Sequence, residues 1–304
     1  MSKYIPTLTP KHINQIQVMA GFPKRPRDSH KGMYGTVTVI GGAPGMLGAP
    51  LLAARAALKL GAGVVHVGLL ADNAPGVDLL QPELMLHRAA DLLHPHPNLP
   101  PEGEGTNVKG MFNPDVLAIG CGMGTSVAAQ KVLYDALKLK VPLVLDADAL
   151  NLLAHHTDLQ EDVRAREKPT ILTPHPGEAA RLLGCTINAV QADRVAAVQQ
   201  LAQKFASSVV LKGTDSLCAT RDGKIYVNHT GNPGMSAAGM GDVLTGMIAA
   251  FIAQGMNADD ALRLAVHLHG AAGDALAQQV ASIGMSATEV TEWARWLLNQ
   301  WAEK

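Results

Sequence analysis

Short apolar runs alternate along this chain with longer segments in which apolar residues recur every three or four positions. The first unit joins an apolar run at 36–42, a helical pattern at 49–60 and a second apolar run at 64–68. Strand, helix and strand in this order indicate a parallel sheet. The pattern goes on to predict strands at 115–119, 141–148, 170–173, 208–211, 216–220 and 224–228, and helices at 10–21, 127–139, 189–205, 242–254, 258–279 and 286–300. We therefore expect an α/β fold with a mostly parallel central sheet and helices on both faces.

Residues 88–113 interrupt this alternation. They include His94 and His96 among several prolines and glycines. Two histidines at this spacing are potential metal ligands, but the surrounding composition is typical of an exposed loop insertion. Because the chain shows no internal repeat and no separating linker, we expect residues 1–304 to form a single domain.

The stretch 228–246 is the strongest candidate for chemistry. It places five glycines in nineteen residues between a predicted strand and a predicted helix. Glycine tolerates positive φ and leaves backbone N–H groups accessible, and the helix dipole adds partial positive charge at the same point. We therefore expect a phosphate to bind at this turn, with Gly239 and Gly241 in contact with it.

Asp242 follows that turn at the start of the predicted helix, and two roles are open for it. An Asp in this position is commonly an N-cap. Beside a bound phosphate it can instead be a general base, and the helix dipole favours the ionised form that a base requires.

Polar residues also follow other predicted strands. Asp146 and Asp148 end one strand, His175 lies between two prolines beside Glu178 after the next, and Lys212 follows a third as a potential phosphate contact. His175 is either a solvated loop residue or a ligand-binding one whose direction the prolines restrict. Five glycine- or proline-containing turns follow strands in this way, so we expect them to meet at one edge of the sheet.

The turn at 42–48 invites comparison with dinucleotide-binding loops. Its glycine spacing is GxxGxxG rather than the GxGxxG of a nicotinamide dehydrogenase, although Asp72 follows the next strand as a ribose-binding acid does. The spacing therefore predicts a tight turn beside a nucleotide-like ligand rather than a dehydrogenase.

Composition removes several classes of protein. The 304 residues carry a net charge of −1, which gives no reason to expect nucleic acid or an anionic membrane as partner. Three cysteines stand far apart without metal-binding spacing, as expected in a reducing compartment. The N-terminal residues lack a secretory pattern, and no apolar run reaches the ~20 residues of a membrane helix. We expect a cytoplasmic protein.

Several blocks together resemble the ADP-dependent (6S)-NAD(P)H-hydrate dehydratases, a ribokinase-like family that repairs hydrated nicotinamide cofactors. They lie at 31–32, 39–42, 48–49, 60–63, 120–124, 145–151, 173–178, 211–213, 231–235 and 241–246. The most specific are Thr-Pro-His-Pro-Gly-Glu at 173–178 and Gly-Asn-Pro-Gly-Met at 231–235. The resemblance implies a ribokinase-like fold and conversion of the 6S hydrate of NADH or NADPH to the reduced cofactor, AMP and phosphate. It also implies ADP as phosphoryl donor, Mg²⁺ on the nucleotide, and a homo-oligomer, specifically a tetramer.

The resemblance also implies roles for individual residues. The hydrated-nicotinamide site would be lined by Ala49, Gly122, Gly124, His175 and Asp242, and Asp242 would be the catalytic base. The adenine nucleotide would contact Lys212, Gly213, Thr214, Asp215, Ser216 and Gly241.

The chain departs from the family pattern in the phosphate-binding turn. The family usually reads Ala-Thr-Gly-Gly-Thr-Gly-Asp where this chain has Ser-Ala-Ala-Gly-Met-Gly-Asp at 236–242. Threonine hydroxyls are therefore missing at Ala237 and Met240, so hydroxyl contacts to the transferred phosphate are not expected there. The backbone donors and Asp242 are retained.

Two other functions are consistent with a ribokinase-like chain. A hydroxymethylpyrimidine or thiazole kinase shares the Gly-Asp pair but would not be expected to carry the blocks at 173–178 and 231–235. A non-catalytic nucleotide sensor has little need of a carboxylate at the anion site.

Overall fold

The protein is described by a computed structural model that covers residues 10–93 and 113–303. Ten strands within these ranges form one sheet. The strands are β1 (Lys11–His12), β2 (Thr36–Gly41), β3 (Val64–Leu69), β4 (Met85–Arg88), β5 (Val116–Ile119), β6 (Leu143–Leu145), β7 (Thr170–Leu172), β8 (Ser208–Leu211), β9 (Ser216–Ala219) and β10 (Ile225–Asn228).

Helices connect most of these strands. They are α1 (Gln15–Met19), α2 (Gly48–Lys59), α3 (Ala89–Leu93), α4 (Val127–Leu137), α5 (Ala147–His155), α6 (Thr157–Ala165), α7 (Pro176–Leu183), α8 (Ile187–Ala192), α9 (Arg194–Phe205), α10 (Met240–Ala253), α11 (Ala258–Gln279) and α12 (Ala287–Ala302). Within the described ranges, no helix combines the length and the hydropathy that crossing a membrane requires.

The order across the sheet is β1, β10, β9, β8, β7, β6, β5, β2, β3 and β4. The seven strands from β8 to β4 pair in parallel. Strand β9 runs antiparallel to both of its neighbours, β8 and β10. The expectation of a mostly parallel sheet is therefore confirmed.

Two apolar cores lie on opposite faces of this sheet. Val116 and Ala118 of β5 belong to one core, and Leu117 and Ile119 of the same strand belong to the other. Because successive side chains of a strand point to opposite faces, this alternation separates the two cores. Helices α2, α10, α11 and α12 cover the first face, and α4 to α9 cover the second. The expected helices on both faces are confirmed.

Helix α10 is the most buried helix of the first core. Twelve of its 14 residues are buried, and the two that are not are Gly241 and Asp242 in its first turn. At Gly246 the backbone of α10 approaches the carbonyl oxygen of Ala53 in α2 so closely that a Cβ atom would overlap it. The two helices can therefore pack this tightly only around a glycine.

Some predicted boundaries were wrong. The helix expected at 10–21 is only α1, and β1 precedes it. The strand expected at 141–148 ends at Leu145, because Asp146 is the N-cap of α5. The helix expected at 189–205 is divided into α8 and α9 at Asp193, whose side chain accepts the backbone N–H of Ala196 and starts a new helix.

The loop expected at 88–113 is also corrected in part. Arg88 ends β4, which pairs with β3, and residues 89–93 form α3. The two half-buried residues of β4 are adjacent and are flanked by exposed ones, so the strand lacks the alternation of period 2 and the sequence did not reveal it. The remainder of the predicted loop, including His94 and His96, lies outside the described residues.

We predict that Gly246→Ala lowers the free energy of unfolding by roughly 1–3 kcal/mol, because the added methyl must push α10 away from α2. Denaturant unfolding measures this change. Gly48→Ala is the matched control, since Gly48 is also helical and a Cβ built on it has no atom within 4 Å. Equal stability of both variants would contradict the close helix contact.

Candidate active site

The turns after β5, β6, β7 and β8 meet at one edge of the sheet, opposite the N-terminus of α10. Asp146 lies at their centre and is 1% exposed. Its Oδ1 accepts hydrogen bonds from Thr173 Oγ1 at 2.6 Å and Lys212 Nζ at 2.9 Å, and its Oδ2 accepts one from Thr245 Oγ1 at 3.0 Å. One buried carboxylate thus joins the ends of three strands to α10.

The charges in this group stabilise one another. Burial alone would raise the pKa of Asp146, but the Lys212 ammonium and the hydroxyl donors outweigh it, so the pKa is lowered. Burial alone would likewise lower the pKa of Lys212, but the carboxylates of Asp146 and Glu178 outweigh it and raise that pKa. Lys212 therefore holds a fixed positive charge beside the N-terminus of α10, where a Cβ on Gly241 would lie 3.0 Å from its Nζ.

Asp242 is not the N-cap of α10, so that alternative is wrong. The N-cap is Gly239, with φ of 87°, and Asp242 lies in the first turn of the helix. Burial and the negative charge of Asp146 raise the pKa of Asp242 to about 6. The helix dipole was expected to favour the ionised form, but these two effects act in the opposite direction and outweigh it. The carboxyl is still mainly ionised at pH 7.

The turn after β5 brings together three of the predicted substrate residues. Gly122 has φ of 56°, and a Cβ on it would lie 3.1 Å from the Cβ of Ala49 in α2. Gly124, with φ of 69°, donates its N–H to Asp148 Oδ2 at 2.8 Å. Asp148 therefore has a defined role that its position in the sequence did not reveal: it holds this turn in place.

His175 forms the N-cap of α7. Its Nδ1 accepts the backbone N–H groups of Gly177 at 3.0 Å and Glu178 at 3.4 Å, while Glu178 Oε2 accepts the N–H of His175 at 2.8 Å. The side chain is half exposed. Burial and the Lys212 charge lower the pKa of His175, and burial raises the pKa of Glu178 to about 7. The imidazole is thus neutral and held in one orientation at the site. It is oriented, as a ligand-binding residue would be, but it is also half exposed, as a loop residue would be.

A cavity of about 400 Å³ opens beside Lys212 and the first turn of α10. Its walls include every predicted nucleotide contact except Gly239, namely Lys212, Gly213, Thr214, Asp215, Ser216 and Gly241. Met240, His269 and most of the turn at 228–236 also line it, together with Leu244, Val266 and Gly270. The structure therefore brings these residues together as expected.

Gly239 is a different case. A Cβ on it would meet Leu52 Cδ1 at 2.6 Å and Ala287 Cβ at 3.1 Å, so its α-carbon faces α2 and α12 rather than the cavity. The positive φ and this close packing explain why position 239 is a glycine. The sequence could not separate Gly239 from Gly241, since both belong to the same glycine-rich turn.

A larger cavity of about 1320 Å³ is lined by residues such as Ile16, Phe22, Arg25 and Trp301. It contains none of the predicted site residues. The smaller cavity is the better candidate, because Lys212 and the first turn of α10 line it, and Asp242, whose pKa is raised, directly follows the lining residue Gly241.

Cys121 Sγ and one carboxylate oxygen each of Asp146 and Asp242 lie within 4.8 Å of one another. This cluster does not suit Mg²⁺, a hard ion that prefers oxygen ligands and bound water. Cys121 offers sulfur, and both oxygens of Asp146 are already engaged by Lys212, Thr173 and Thr245.

Comparison with known sequences identifies the relatives of this chain. A family model described as NAD(P)H-hydrate dehydratase matches residues 37–295. The chain is 44% identical over 284 residues to the ADP-dependent (S)-NAD(P)H-hydrate dehydratase of Neisseria meningitidis serogroup B, covering 92% of this chain and 90% of that protein. It is 42% identical over 279 residues to the bifunctional NAD(P)H-hydrate repair enzyme of Coxiella burnetii, covering 91% of this chain and 53% of that protein. The chain thus spans about half the length of such bifunctional relatives.

Solved structures show the same relationship. The ADP/ATP-dependent NAD(P)H-hydrate dehydratase of Bacillus subtilis, co-crystallised with ATP/Mg²⁺, has a TM-score of 0.79 and 28% identity, covering 97% of this chain and 100% of that one. A ribokinase-like superfamily protein from Enterococcus faecalis has a TM-score of 0.80 and 25% identity over 100% of both chains. Sequence, fold and site lead to one conclusion: the chain belongs to the NAD(P)H-hydrate dehydratase family and has the ribokinase-like fold.

Proposed function

We propose that this protein is a carbon–oxygen lyase that uses ADP to convert the 6S hydrate of NADH or NADPH back to the reduced cofactor, with release of AMP and phosphate. The observation that carries the proposal is the cavity lined by Lys212 and Gly241 at the N-terminus of α10, in whose first turn Asp242 directly follows Gly241. The relative at 44% identity is named for ADP-dependent dehydration of this substrate.

The cavity supports a place for the nucleotide. Residues 212–216 and Gly241 would hold the adenine nucleotide there, with its phosphates directed to Lys212 and the first turn of α10. The helix N-terminus and the ammonium both favour negative charge. Gly239 would make no direct phosphate contact, because its α-carbon faces α2 and α12.

The hydrated nicotinamide ring would lie on the other side of Asp242, against Ala49, Gly122, Gly124 and His175. Glycine at 122 lets the turn after β5 pack closely against Met46 and Ala49, since a Cβ there would lie 2.7 Å from Met46 O, and this packing fixes the turn that would face the ring. His175 is held in one orientation by α7, and half of its side chain is exposed to a ligand. We assign His175 to substrate binding, with Asp242 as the base.

The chemistry requires a hydroxyl to become a good leaving group. Asp242 accepts the proton of the substrate hydroxyl while that oxygen bonds to the terminal phosphorus of ADP. The bond from this phosphorus to the bridging oxygen breaks, and AMP leaves with the electron pair. The lone pair of the ring nitrogen then expels phosphate, which takes the electrons of the C–O bond. Loss of a proton from the adjacent ring carbon to solvent restores the double bond.

Lys212 and the backbone N–H groups of the first turn of α10 stabilise the charge that develops on the phosphoryl oxygens. They are fixed before the reaction, because Asp146 already orients the ammonium at 2.9 Å. Preorganised donors of this kind contribute strongly to phosphoryl transfer.

We propose Mg²⁺ as the accompanying ion, since the Bacillus subtilis relative was co-crystallised with ATP/Mg²⁺. When bound, Mg²⁺ neutralises charge on the nucleotide phosphates. Because the cluster of Cys121, Asp146 and Asp242 does not suit this ion, we assign it no side-chain ligand and derive no step through it.

The main alternative is a kinase that stops after phosphoryl transfer. A hydroxyethylthiazole kinase from Pyrococcus horikoshii shares the fold at a TM-score of 0.60, but its 15% identity supports no more than the fold. Product analysis separates the two functions. Formation of NADH from its hydrate with release of phosphate supports the dehydratase, whereas accumulation of a phosphorylated substrate supports the kinase. No turnover with either product would favour a nucleotide sensor.

We further propose that the chain acts as one domain, in the cytoplasm, and as a homo-oligomer, specifically a tetramer. The continuous sheet supports the single domain, and three free cysteines fit a reducing compartment. Exposed apolar side chains such as Leu79, Leu80 and Ile283 fit a contact between subunits.

We predict that Asp242→Asn lowers kcat for NADH formation by ~10²–10⁴-fold, because the amide lacks the basic lone pair. The thermal midpoint at pH 7 should not fall. A raised pKa means that the fold is stabilised by protonated Asp242 at low pH, and that this stabilisation is lost as pH rises through about 6. The variant should therefore gain stability relative to wild type as pH increases from about 4 to about 7. Near-normal turnover would remove Asp242 as the base.

The pH dependence of kcat/KM tests the same carboxyl in the unmodified protein. We predict an acidic limb with an apparent pKa of about 6, below which activity falls because Asp242 is protonated. Glu178 has a pKa of about 7, so it is the competing assignment. Glu178→Gln should leave the apparent pKa of the acidic limb near 6. Loss of the acidic limb in that variant would instead assign the role of base to Glu178.

We predict that Gly241→Ala weakens ADP binding at least about tenfold without loss of stability. Its Cβ would point at Lys212 Nζ and Asp146 Oδ2, at 3.0 and 3.7 Å, and its backbone has no positive φ. Alanine also favours a helix over glycine. Calorimetric titration with ADP measures the effect, and Gly76→Ala, where a Cβ meets nothing within 4 Å, is the control. Unchanged ADP affinity would place the phosphates elsewhere.

A further inference from the structure

His229 lines the proposed nucleotide cavity, and the proposed reaction leaves its side chain without a role. It directly follows β10, and 54% of its side chain is exposed. Its Nδ1 lies 2.6 Å from Asp215 Oδ1, and its Nε2 lies 2.9 Å from His12 Nδ1. One imidazole at the cavity is thus held from two sides, by β1 and by the turn after β8.

Both ring nitrogens of His229 are therefore engaged within the protein. A carboxylate only accepts hydrogen bonds, so Nδ1 of His229 donates to Asp215. Its Nε2 shares a hydrogen bond with His12, whichever of the two rings carries that proton. A ligand in the cavity can thus meet His229 through a face or a carbon edge of the ring, but not through a free nitrogen. Because both hydrogen bonds fix the ring before a ligand arrives, little side-chain freedom is lost on contact.

The place of His229 in the sheet corresponds to the base end of a nucleotide. Strands β8 and β10 are both antiparallel to β9, so they run in the same direction and end at the same edge. Leu211 and Val227 both pair with Leu217 of β9, which places the two strand ends two strand spacings, or about 10 Å, apart. Lys212 and His229 continue from these ends. A nucleoside diphosphate carries its base and its terminal phosphate at opposite ends, so phosphates at Lys212 leave the base to reach toward His229.

We propose that His229 is a nucleotide-binding residue whose ring face stacks on the nucleobase of ADP, and that Asp215 and His12 position this ring. Stacking needs only a flat ring surface, which is what His229 has left to offer when both of its nitrogens are engaged. The proposal rests on the proposed placement of ADP in the cavity and adds the contact to its base.

The test compares calorimetric binding of ADP with that of pyrophosphate, which carries phosphates but no base. We expect His229→Ala to weaken ADP binding by about five- to thirtyfold, the effect of losing a stack between a base and an aromatic ring. Pyrophosphate binding should stay within about twofold of wild type, because no stack is lost. His229→Phe keeps a flat ring without nitrogens, so it should bind ADP within about threefold of wild type.

His155 supplies the matched control. It is also an exposed histidine, at the end of α5, and it does not line the cavity. His155→Ala should leave both affinities unchanged. Equal ADP affinity in wild type and His229→Ala would overturn the proposal, as would an equal loss of ADP and pyrophosphate binding. Failure of His229→Phe to recover ADP affinity would overturn stacking as the contact.

Nuclear magnetic resonance tests the contact directly. The signal of the proton on Cε1 of His229 is assigned by its absence from His229→Ala. ADP should move this signal upfield, because the ring current of a stacked base shields the proton, and pyrophosphate should not. A signal that ADP leaves in place, or that both ligands move equally, would overturn the stack.

These measurements do not depend on turnover, so they separate the base contact from the proposed reaction. The expected loss of ADP affinity in His229→Ala without NADH formation by the wild type would contradict the dehydratase function and retain the contact. Weaker ADP binding in Gly241→Ala but not in His229→Ala would retain the phosphate site and overturn the base contact alone.

Discussion

The structure depends on one buried charge. A carboxylate at 1% exposure is costly unless its oxygens are paired, and Asp146 is paired with a cation and two hydroxyl donors. The partners come from β7, β8 and α10, which are distant in sequence. Satisfying Asp146 therefore brings the ends of these elements to fixed positions, and the candidate active site is formed by the same contacts.

Asp146 and Asp242 lie close together, but their pKa values are shifted in opposite directions. Asp146 has its pKa lowered by Lys212 and its donors, so it remains an anion. Asp242 lies nearby with its pKa raised to about 6 by burial and by that anion. Environments that move two neighbouring pKa values in opposite directions are typical of acid–base sites. The permanent charge of Asp146 thus raises the pKa of Asp242, the proposed base, and the Lys212 ammonium offsets part of the negative charge of the two carboxylates.

The sequence predicts eight of the ten described strands, most of the longer helices and the edge at which the turns meet, because these follow from local patterns of period 2 and period 3.6. It does not predict β1, β4 or the helices α3, α5, α6 and α7. It does not predict the role of Asp146, since the bonds to Lys212 and Thr245 span 66 and 99 residues. Nor does it distinguish Gly239, which packs against Leu52, from Gly241, which faces Lys212. The cap formed by His175 was open to prediction from Glu178 three residues later, which is the spacing of a capping box.

The missing threonine hydroxyls at Ala237 and Met240 are consistent with this arrangement. Met240 is 7% exposed, belongs to the apolar core and lines the cavity, so it contributes shape rather than a donor. In the proposed site, the negative charge of the phosphate would be met instead by Lys212 and by the backbone of α10. Both are independent of residues 237 and 240, since Asp146 orients the lysine and the close packing around Gly246 positions the helix. A site whose anion binding comes from backbone and a buried ion pair can lose side-chain hydroxyls in its glycine-rich turn and still bind phosphate.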